Sequence, residues 1–288
     1  MKNVYLNDTQ IHDNINNVGM WLRPKISGLE APSIRLPSFE RPNIDGAFVP
    51  NQLYGGRAIS FEGKVFGDGD LTTYRQRRRI LETAARIYRP GNVLSPILLK
   101  FKTMDDLELQ AEVYVKKLKF EDNDMTAGEY LLDLFAPDIR LLSQTEKQDQ
   151  MNIFSGGGGA IPMTIPFSMG VGGTIETIIE NAGDITSYPF ITIYGTIDDP
   201  TITNQTTGDS FSLNYTLVSA NEFITIDVEN RTVLYYADET TAPVNIRDVF
   251  SGDWMEIASG QNSIKLVVAD TTDTGYALIK WRDAYLGV

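Results

Sequence analysis

Prolines at positions 32, 37, 42 and 50 limit what this chain can fold into more than any other feature. Each removes a backbone donor and fixes φ, so residues 31–50 cannot be helical and are poor candidates for a central strand. An extended segment remains. Gly55 and Gly56 punctuate the turn from it into Arg57–Phe66, where Ile59, Phe61 and Val65 share one face of an alternating strand and Ser60, Glu62 and Lys64 the other. Two readings fit: an arm, anchored on that strand, that reaches across a neighbouring subunit, or a long surface loop packed on its own. Loops beyond ~12–15 residues are usually functional or disordered, which leaves both open.

Downstream, the spacing predicts one helix over 70–89, opened by Asp70 as N-cap and closed before Pro90-Gly91, roughly 28 Å long at about 1.5 Å per residue. Its buried stripe is Tyr74, Leu81, Ala84, Ala85 and Tyr88. Six of the fourteen arginines, Arg75, Arg77, Arg78, Arg79, Arg86 and Arg89, fall on it. Guanidinium forks suit bidentate pairing with carboxylates across an interface, although a solvated face with internal acidic partners accounts for them too. A nucleic-acid face would also use arginines, but no interleaved aromatic platform accompanies these. Leu107–Val115 alternates as a strand, Glu121–Asp124 turns the chain, and Glu129–Ala136 returns as a strand ended by Pro137.

A composition break follows. Residues 143–160 run from polar residues into four consecutive glycines, which cost too much backbone entropy for an element interior, and are read as a linker between domains at 1–142 and 161–288. The charge changes at the same place. Residues 1–144 carry 19 basic against 19 acidic side chains, and residues 145–288 carry 6 against 19, so the whole net charge of −13 lies in the second half. That half repels phosphate backbones. It reads as strands throughout: Ile161–Met169, Thr174–Asn181, Phe190–Tyr194, Pro200–Asn204, Ser210–Leu217, Glu222–Ile226, Thr232–Tyr236, Trp254–Ile257, Ser263–Val268 and Tyr276–Trp281. Many short strands at regular spacing mean a sandwich or jelly roll, and no repeat suggests a propeller or solenoid. The fold class is mainly β with one long helix.

Chemistry-bearing motifs are scarce. At 288 residues the chain can bury ~75% of its unfolded surface without staples, and it has no cysteine for a disulfide, a thiolate metal site or thiol catalysis. His12, the single histidine, is expected at the surface near a turn, and alone it builds neither a triad nor a metal-histidine cluster. The glycine runs lack the Gly-Lys-Ser/Thr ending of a phosphate loop, and Asp68-Gly69-Asp70 lacks the later ligands of a calcium loop. Asp198/Asp199 and Asp105/Asp106 are neighbours whose side chains point apart, unlike a glycosidase pair. No cofactor and no catalytic residue is expected. No apolar run reaches the ~18–20 residues of a membrane span, and Met1–Gln10 lacks a signal-peptide pattern, so synthesis in the cytoplasm is expected.

The order of several short motifs carries a resemblance. In the first half these are Gly28-Leu29-Glu30-Ala31-Pro32-x-Ile34-Arg35, Asp45-Gly46, Tyr54-Gly55-Gly56-Arg57-x-Ile59-x-Phe61-x-Gly63 and Asp133-Leu134-x-Ala136-Pro137-Asp138. In the second they are Asn181-x-Gly183, Pro189-x-Ile191-x-Ile193-x-Gly195, Asp199-Pro200-x-Ile202-x-Asn204-x-Thr206-x-Gly208, Ile226-Asp227, Trp254 with Gly260-x-Asn262, and Trp281-Arg282-Asp283-x-Tyr285-Leu286-Gly287. Over nearly its full length the chain resembles the distal tail protein of long, non-contractile-tailed (siphovirus-type) bacteriophages.

The resemblance implies a hexameric ring built by the N-terminal β-sandwich-like domain, a channel through which DNA passes, and a galectin-like β-sandwich projecting outward. It implies a homo-oligomer in the virion at the distal end of the tail. Its neighbours would be the major tail tube protein, the tape-measure protein, and tail-associated hub or receptor-binding proteins. The arm, residues 28–56, would help close the ring, with Ile34, Arg35, Phe39, Phe48, Arg75, Arg78 and Arg79 as candidate subunit-interface residues. The alternative is a carbohydrate-binding or receptor-binding tail component. There Trp254 and Tyr235 would stack on sugar, although core packing explains these aromatics as well.

Overall fold

Alternation of apolar and polar residues, rather than helix, organises this protein. The computed structural model describes residues 1–13, 21–86, 96–122, 124–153, 174–269 and 274–288. The chain divides into two units, Met1–Gln144 with Tyr285–Val288, and Thr145–Ala284.

In the first unit Arg57–Phe66 forms a strand over its whole predicted range, with Ile59, Phe61 and Val65 buried. It pairs antiparallel with Ala127–Ala136 on one side and Trp21–Ser27 on the other. The sheet continues from Ala127–Ala136 through Glu108–Asp122, Ile97–Lys102 and Asn3–Leu6 to Thr9–Asp13, and Leu141–Ser143 adds beside Glu108–Asp122. Glu108–Asp122 is long enough to serve both halves of this sheet, and its register shifts between Val115 and Lys117. Such a bulge bends a strand so that its two ends can pack on different neighbours.

The helix spans Leu71–Ala84. Asp70 caps it as expected: its carboxylate accepts the backbone N–H groups of Thr72 at 3.1 Å and Thr73 at 2.8 Å. The Thr73 hydroxyl and these backbone donors hold the Asp70 carboxyl below its usual range. Tyr74, Leu81, Ala84 and Ala85 are buried, and the Tyr74 hydroxyl donates to Asp122 on the sheet. The helix stops short of the expected 89: Ala85 is its C-cap, with its N–H donating to the Leu81 carbonyl at 2.9 Å, Arg86 is no longer helical, and Tyr88 and Arg89 lie outside the described residues.

A buried guanidinium fastens this unit. Arg57 is 1% exposed. Its Nη1 donates to the carbonyls of Gly28 at 3.2 Å and of Glu30, and its Nη2 to those of Ile139 at 2.8 Å and Leu286 at 2.6 Å. Segments far apart in sequence therefore meet on one side chain. Burial pushes the guanidinium below its usual pKa, while Glu30 and Asp138 act in the opposite direction. Gly28 makes the close approach possible. Its φ is +88°, and a Cβ there would lie 1.8 Å from the Ala58 carbonyl oxygen. Gly28→Ala is expected to destabilise the first unit by about 2–4 kcal/mol through left-handed strain plus overpacking, read as a lower midpoint in urea unfolding.

The second unit is a β-sandwich. One sheet runs Lys147–Asn152, Tyr276–Trp281, Phe190–Tyr194, Phe223–Asp227, Thr232–Tyr236, Val244–Asn245; the other runs Thr174–Asn181, Gly260–Val267, Thr201–Asn204, Ser210–Leu213, Phe250–Gly252. Ile191, Ile193, Ile224 and Ile226 of the first meet Ile202, Phe211, Ile264 and Leu266 of the second in one core. Buried asparagines pin the turns between strands. Asn204 Nδ2 donates to the Glu256 carbonyl at 2.7 Å and to Asn262 Oδ1 at 3.0 Å, and Asn181 Oδ1 accepts from the Gly183 N–H at 3.0 Å. Full satisfaction of these amides is what makes their burial tolerable.

Four expectations are corrected. His12 is 6% exposed rather than at the surface, because the register shift between Val4 and Tyr5, opposite His12 and Gln10, lets consecutive Ile11 and His12 both bury. Of the stretch read as linker, Lys147–Asn152 is an edge strand paired with Tyr276–Trp281, while 154–160 and the expected strand Ile161–Met169 lie outside the described residues. Trp254–Ile257 is no strand: Met255 and Ile257 are buried, but only Ile257 bridges, to Ser187, and the ladder strand is Phe250–Gly252. Ser210–Leu217 is broken into Ser210–Leu213 and Thr216–Leu217, which join different sheets.

Candidate functional site

The proline segment is a narrow antiparallel ribbon. Ile34–Arg35 pairs with Leu53–Tyr54, and Phe39–Glu40 pairs with Ala47–Phe48. Prolines limit each ladder to two residues, and the ribbon reverses at a turn where Arg41 N–H donates to the Gly46 carbonyl at 3.2 Å. Asn43 and Gly46 take positive φ there. At the base, Gly55 N–H donates to the Ser33 carbonyl at 2.8 Å, and Arg35 Nη2 to the Tyr54 carbonyl at 3.3 Å.

Every residue from Ser33 to Val49 is exposed. Phe39 and Phe48 stand directly opposite each other, 61% and 59% exposed, and Ile34 stands opposite Tyr54. Leu36, Ile44, Val49 and Leu53 are exposed as well. None of these side chains is buried, and exposed apolar surface concentrated in one element marks an interaction site. The sequence reading found Ile34, Phe39 and Phe48 but missed Leu36, Ile44, Val49 and Leu53. Their signal is apolar residues in a proline-broken segment that fits neither a helical nor a strand period.

The helix arginines separate into two groups. Arg78 is committed within its own unit: it pairs with Glu82 at 3.0 Å and Asp122 at 3.1 Å, and its guanidinium lies 4.5 Å from the Phe120 ring centroid. Arg77 pairs with Asp68 at 2.7 Å and donates to the Phe66 carbonyl. Arg75 and Arg79, four residues apart on one face, are exposed and make no ion pair among the described residues. They remain available to a partner.

Trp254 and Tyr235 are each turned inward in part. Trp254 packs on the core of the second unit, stacked on Phe250 at 4.4 Å, with the Arg247 guanidinium 4.8 Å from its ring. Tyr235 packs on the same core and tilts against Tyr215 at 5.4 Å. Burial and the neighbouring Glu222 push its hydroxyl up to about 12.

The first unit also bears a groove of about 730 Å³ across its sheet, lined among others by Lys25, Glu62, Lys64, Lys119, Glu121 and Glu129. Lys64 and Glu129 pair across strands at 2.9 Å. This is a face of alternating charge, without a nucleophile and base brought together. Among the described residues no group of three or more His, Asp and Glu is placed to hold a metal, and no helix is long and apolar enough to cross a membrane.

The class defined by these observations is a two-unit, mainly β protein with one helix and an exposed apolar ribbon. Residues 182–285 match the model of the siphovirus-type tail component, C-terminal domain. The chain also shares a fold with the Dit protein (gp 19.1) of phage SPP1, described as a paradigm of the hub adsorption apparatus in Gram-positive infecting phages. That likeness covers 98% of each chain at 13% identity and a TM-score of 0.66. Chains in the activated baseplate of phage P2, with Ca and with Sr, match over 97% of this chain and 98% of theirs. Their identities are 12% and 13%, with a TM-score of 0.47 for both. A comparison with curated proteins gives no match. The distal-tail-protein resemblance therefore holds as a fold along the chain and as a tail-component domain over 182–285.

Proposed function

We propose that this protein is a non-enzymatic structural hub of a phage tail tip, located in the virion at the distal end of the tail. In this reading residues 1–142 build a homo-hexameric ring, and residues 161–288 form a galectin-like sandwich on its outside. DNA passes through the channel only as cargo. The tail tube and tape-measure proteins are neighbours on one side, and tail-associated hub or receptor-binding proteins on the other.

The observation that carries the proposal is the ribbon Ser33–Tyr54, which presents paired apolar side chains largely to solvent. Fully burying one such side chain contributes about 1.5–3 kcal/mol, so a few of them seated on a neighbouring copy supply the drive for assembly. Arg75 and Arg79 add charge available to a partner's carboxylates. The balance of 19 basic and 19 acidic groups in residues 1–144 lets copies approach without net repulsion, whereas the acidic second half suits an outward position. Sedimentation of the full chain over a wide concentration range tests the reading. A mass of six chains supports it, and a monomer throughout counts against it.

A further inference from the structure

The turn that closes the ribbon carries a chemistry that the hub reading does not use. The chain has two Asp-Gly sequences, Asp45-Gly46 and Asp68-Gly69, and no Asn-Gly. In such a pair the backbone nitrogen of the glycine readily attacks the preceding side-chain carboxyl, because no Cβ crowds the approach and the main chain turns freely into it. The structure sets the two pairs apart.

Asp45-Gly46 lies in the turn between Phe39–Glu40 and Ala47–Phe48, where both residues are exposed. Gly46 takes φ +103°, and a Cβ there would meet nothing within 4 Å. Its carbonyl accepts the Arg41 N–H at 3.2 Å, whereas its own N–H donates to no acceptor among the described residues. The Asp45 carboxyl likewise has no hydrogen bond or ion pair among the described residues. Asp68-Gly69 is held. The Asp68 carboxylate pairs with Arg77 at 2.7 Å, so its rotation onto a backbone nitrogen would give up an ion pair. The Asp70 N–H donates to the Gly67 carbonyl at 2.8 Å across this second pair, and Asp70 is also the helix cap. The torsions that the attack must change are therefore fixed by bonds at 68–69 and left open between Asp45 and the Gly46 nitrogen.

We infer that Asp45-Gly46 is a modification site at which the unassembled chain isomerises to isoaspartate, and that seating of the ribbon on a neighbouring copy protects it. In the first step the Gly46 nitrogen bonds to Asp45 Cγ and loses its proton, and the carboxyl hydroxyl leaves as water, which closes a five-membered imide. Water then adds at the former backbone carbonyl of Asp45, and the C–N bond there breaks. The main chain now runs through Cβ and Cγ of Asp45, and the free carboxylate is the one on Cα. One water leaves and one enters, so no oxidant, cofactor or enzyme is needed. The extra methylene falls in the turn that sets Phe39 opposite Phe48, and turn length fixes the register of a hairpin. An isomerised ribbon therefore presents altered apolar pairs, and chains that wait unassembled are withdrawn from assembly. The isomerisation stands on the local geometry alone, whereas its protection by a neighbour and its effect on assembly rest on the hub reading.

Incubation of the full chain near neutral pH, followed by isoaspartyl-methyltransferase labelling and by fragmentation mass spectrometry that separates the two isomers, tests the assignment. Isoaspartate is expected to accumulate at 45–46 to several-fold the level at 68–69. Asp45→Glu should abolish the signal at that position, because the corresponding ring would have six members. Its unfolding temperature should match the wild type, since the side chain is exposed. When an incubated sample is separated by size, the isoaspartate is expected in the monomer and not in the assembled fraction. No isoaspartate at 45–46, equal levels at the two Asp-Gly sequences, or labelling unchanged in Asp45→Glu would each overturn the site. Equal isoaspartate in both size fractions would overturn the protection. A chain that is monomeric throughout contradicts the hub reading instead, and the comparison of 45–46 with 68–69 still decides the site.

Discussion

The double variant Phe39→Asp, Phe48→Asp is expected to sediment as a monomer under conditions where the wild type assembles, with its unfolding midpoint unchanged. The two rings face each other across the ribbon and are largely in solvent, so within one chain their replacement removes only their cross-strand contact and no buried core packing. In an assembly each interface would lose the burial of two aromatic side chains, about 1.5–3 kcal/mol apiece. It would also have to bury carboxylates without partners. A loss of about 3–6 kcal/mol per interface weakens association by roughly two to four powers of ten. Analytical ultracentrifugation reads the mass and a thermal scan reads the fold. Assembly indistinguishable from wild type would show that the ribbon is not the contact.

Arg57→Met is expected to act in the opposite way, lowering stability before any assembly is considered. Methionine fills part of the volume but donates nothing, so the carbonyls of Gly28, Glu30, Ile139 and Leu286 lose the side chain that gathers them. Leaving buried acceptors without their donor costs about 1–3 kcal/mol apiece, so losing several at once takes a large share of the stability of an ordinary domain. Arg57→Lys keeps the charge but cannot fork to four acceptors, so an intermediate loss is expected. Removal of Leu286–Val288 takes away one acceptor and the Val288 N–H bond to the Leu29 carbonyl, and should cost less than Arg57→Met. Urea unfolding followed by circular dichroism ranks the three variants. A Met variant as stable as the wild type would contradict the role given to Arg57.

Much of the fold was legible because most of its strands bury one face only. Thr174–Asn181, Phe190–Tyr194, Thr232–Tyr236 and Tyr276–Trp281 have the bounds that alternation predicts. Asp70 marked the start of the helix by its capping chemistry. Lys147–Asn152 was not legible, because as an edge strand it buries Met151 alone and its other residues are polar. Trp254–Ile257 shows the converse: alternating burial without a ladder, since Asn204 takes the Glu256 carbonyl that a strand would have offered to a neighbour. His12 hid behind a bulge, which breaks the two-residue period without leaving a mark in composition.

The candidate site was legible in its prolines but not in its shape. Pro32, Pro37, Pro42 and Pro50 announced an extended segment, and the pairing of Phe39 with Phe48 and of Ile34 with Tyr54 that makes it a ribbon came only with the fold. Arg78, grouped with Arg75 and Arg79 by sequence, is drawn to Asp122 by the packing of the helix on the sheet.

The central claim is that the ribbon seats on a neighbouring copy to close a ring, and electron cryomicroscopy of the purified full chain addresses it most directly. The expected map is a sixfold ring with a central opening, in which Ser33–Tyr54 of each subunit lies against the next. Monomers only, or a ring in which these residues pack solely on their own subunit, would contradict the account.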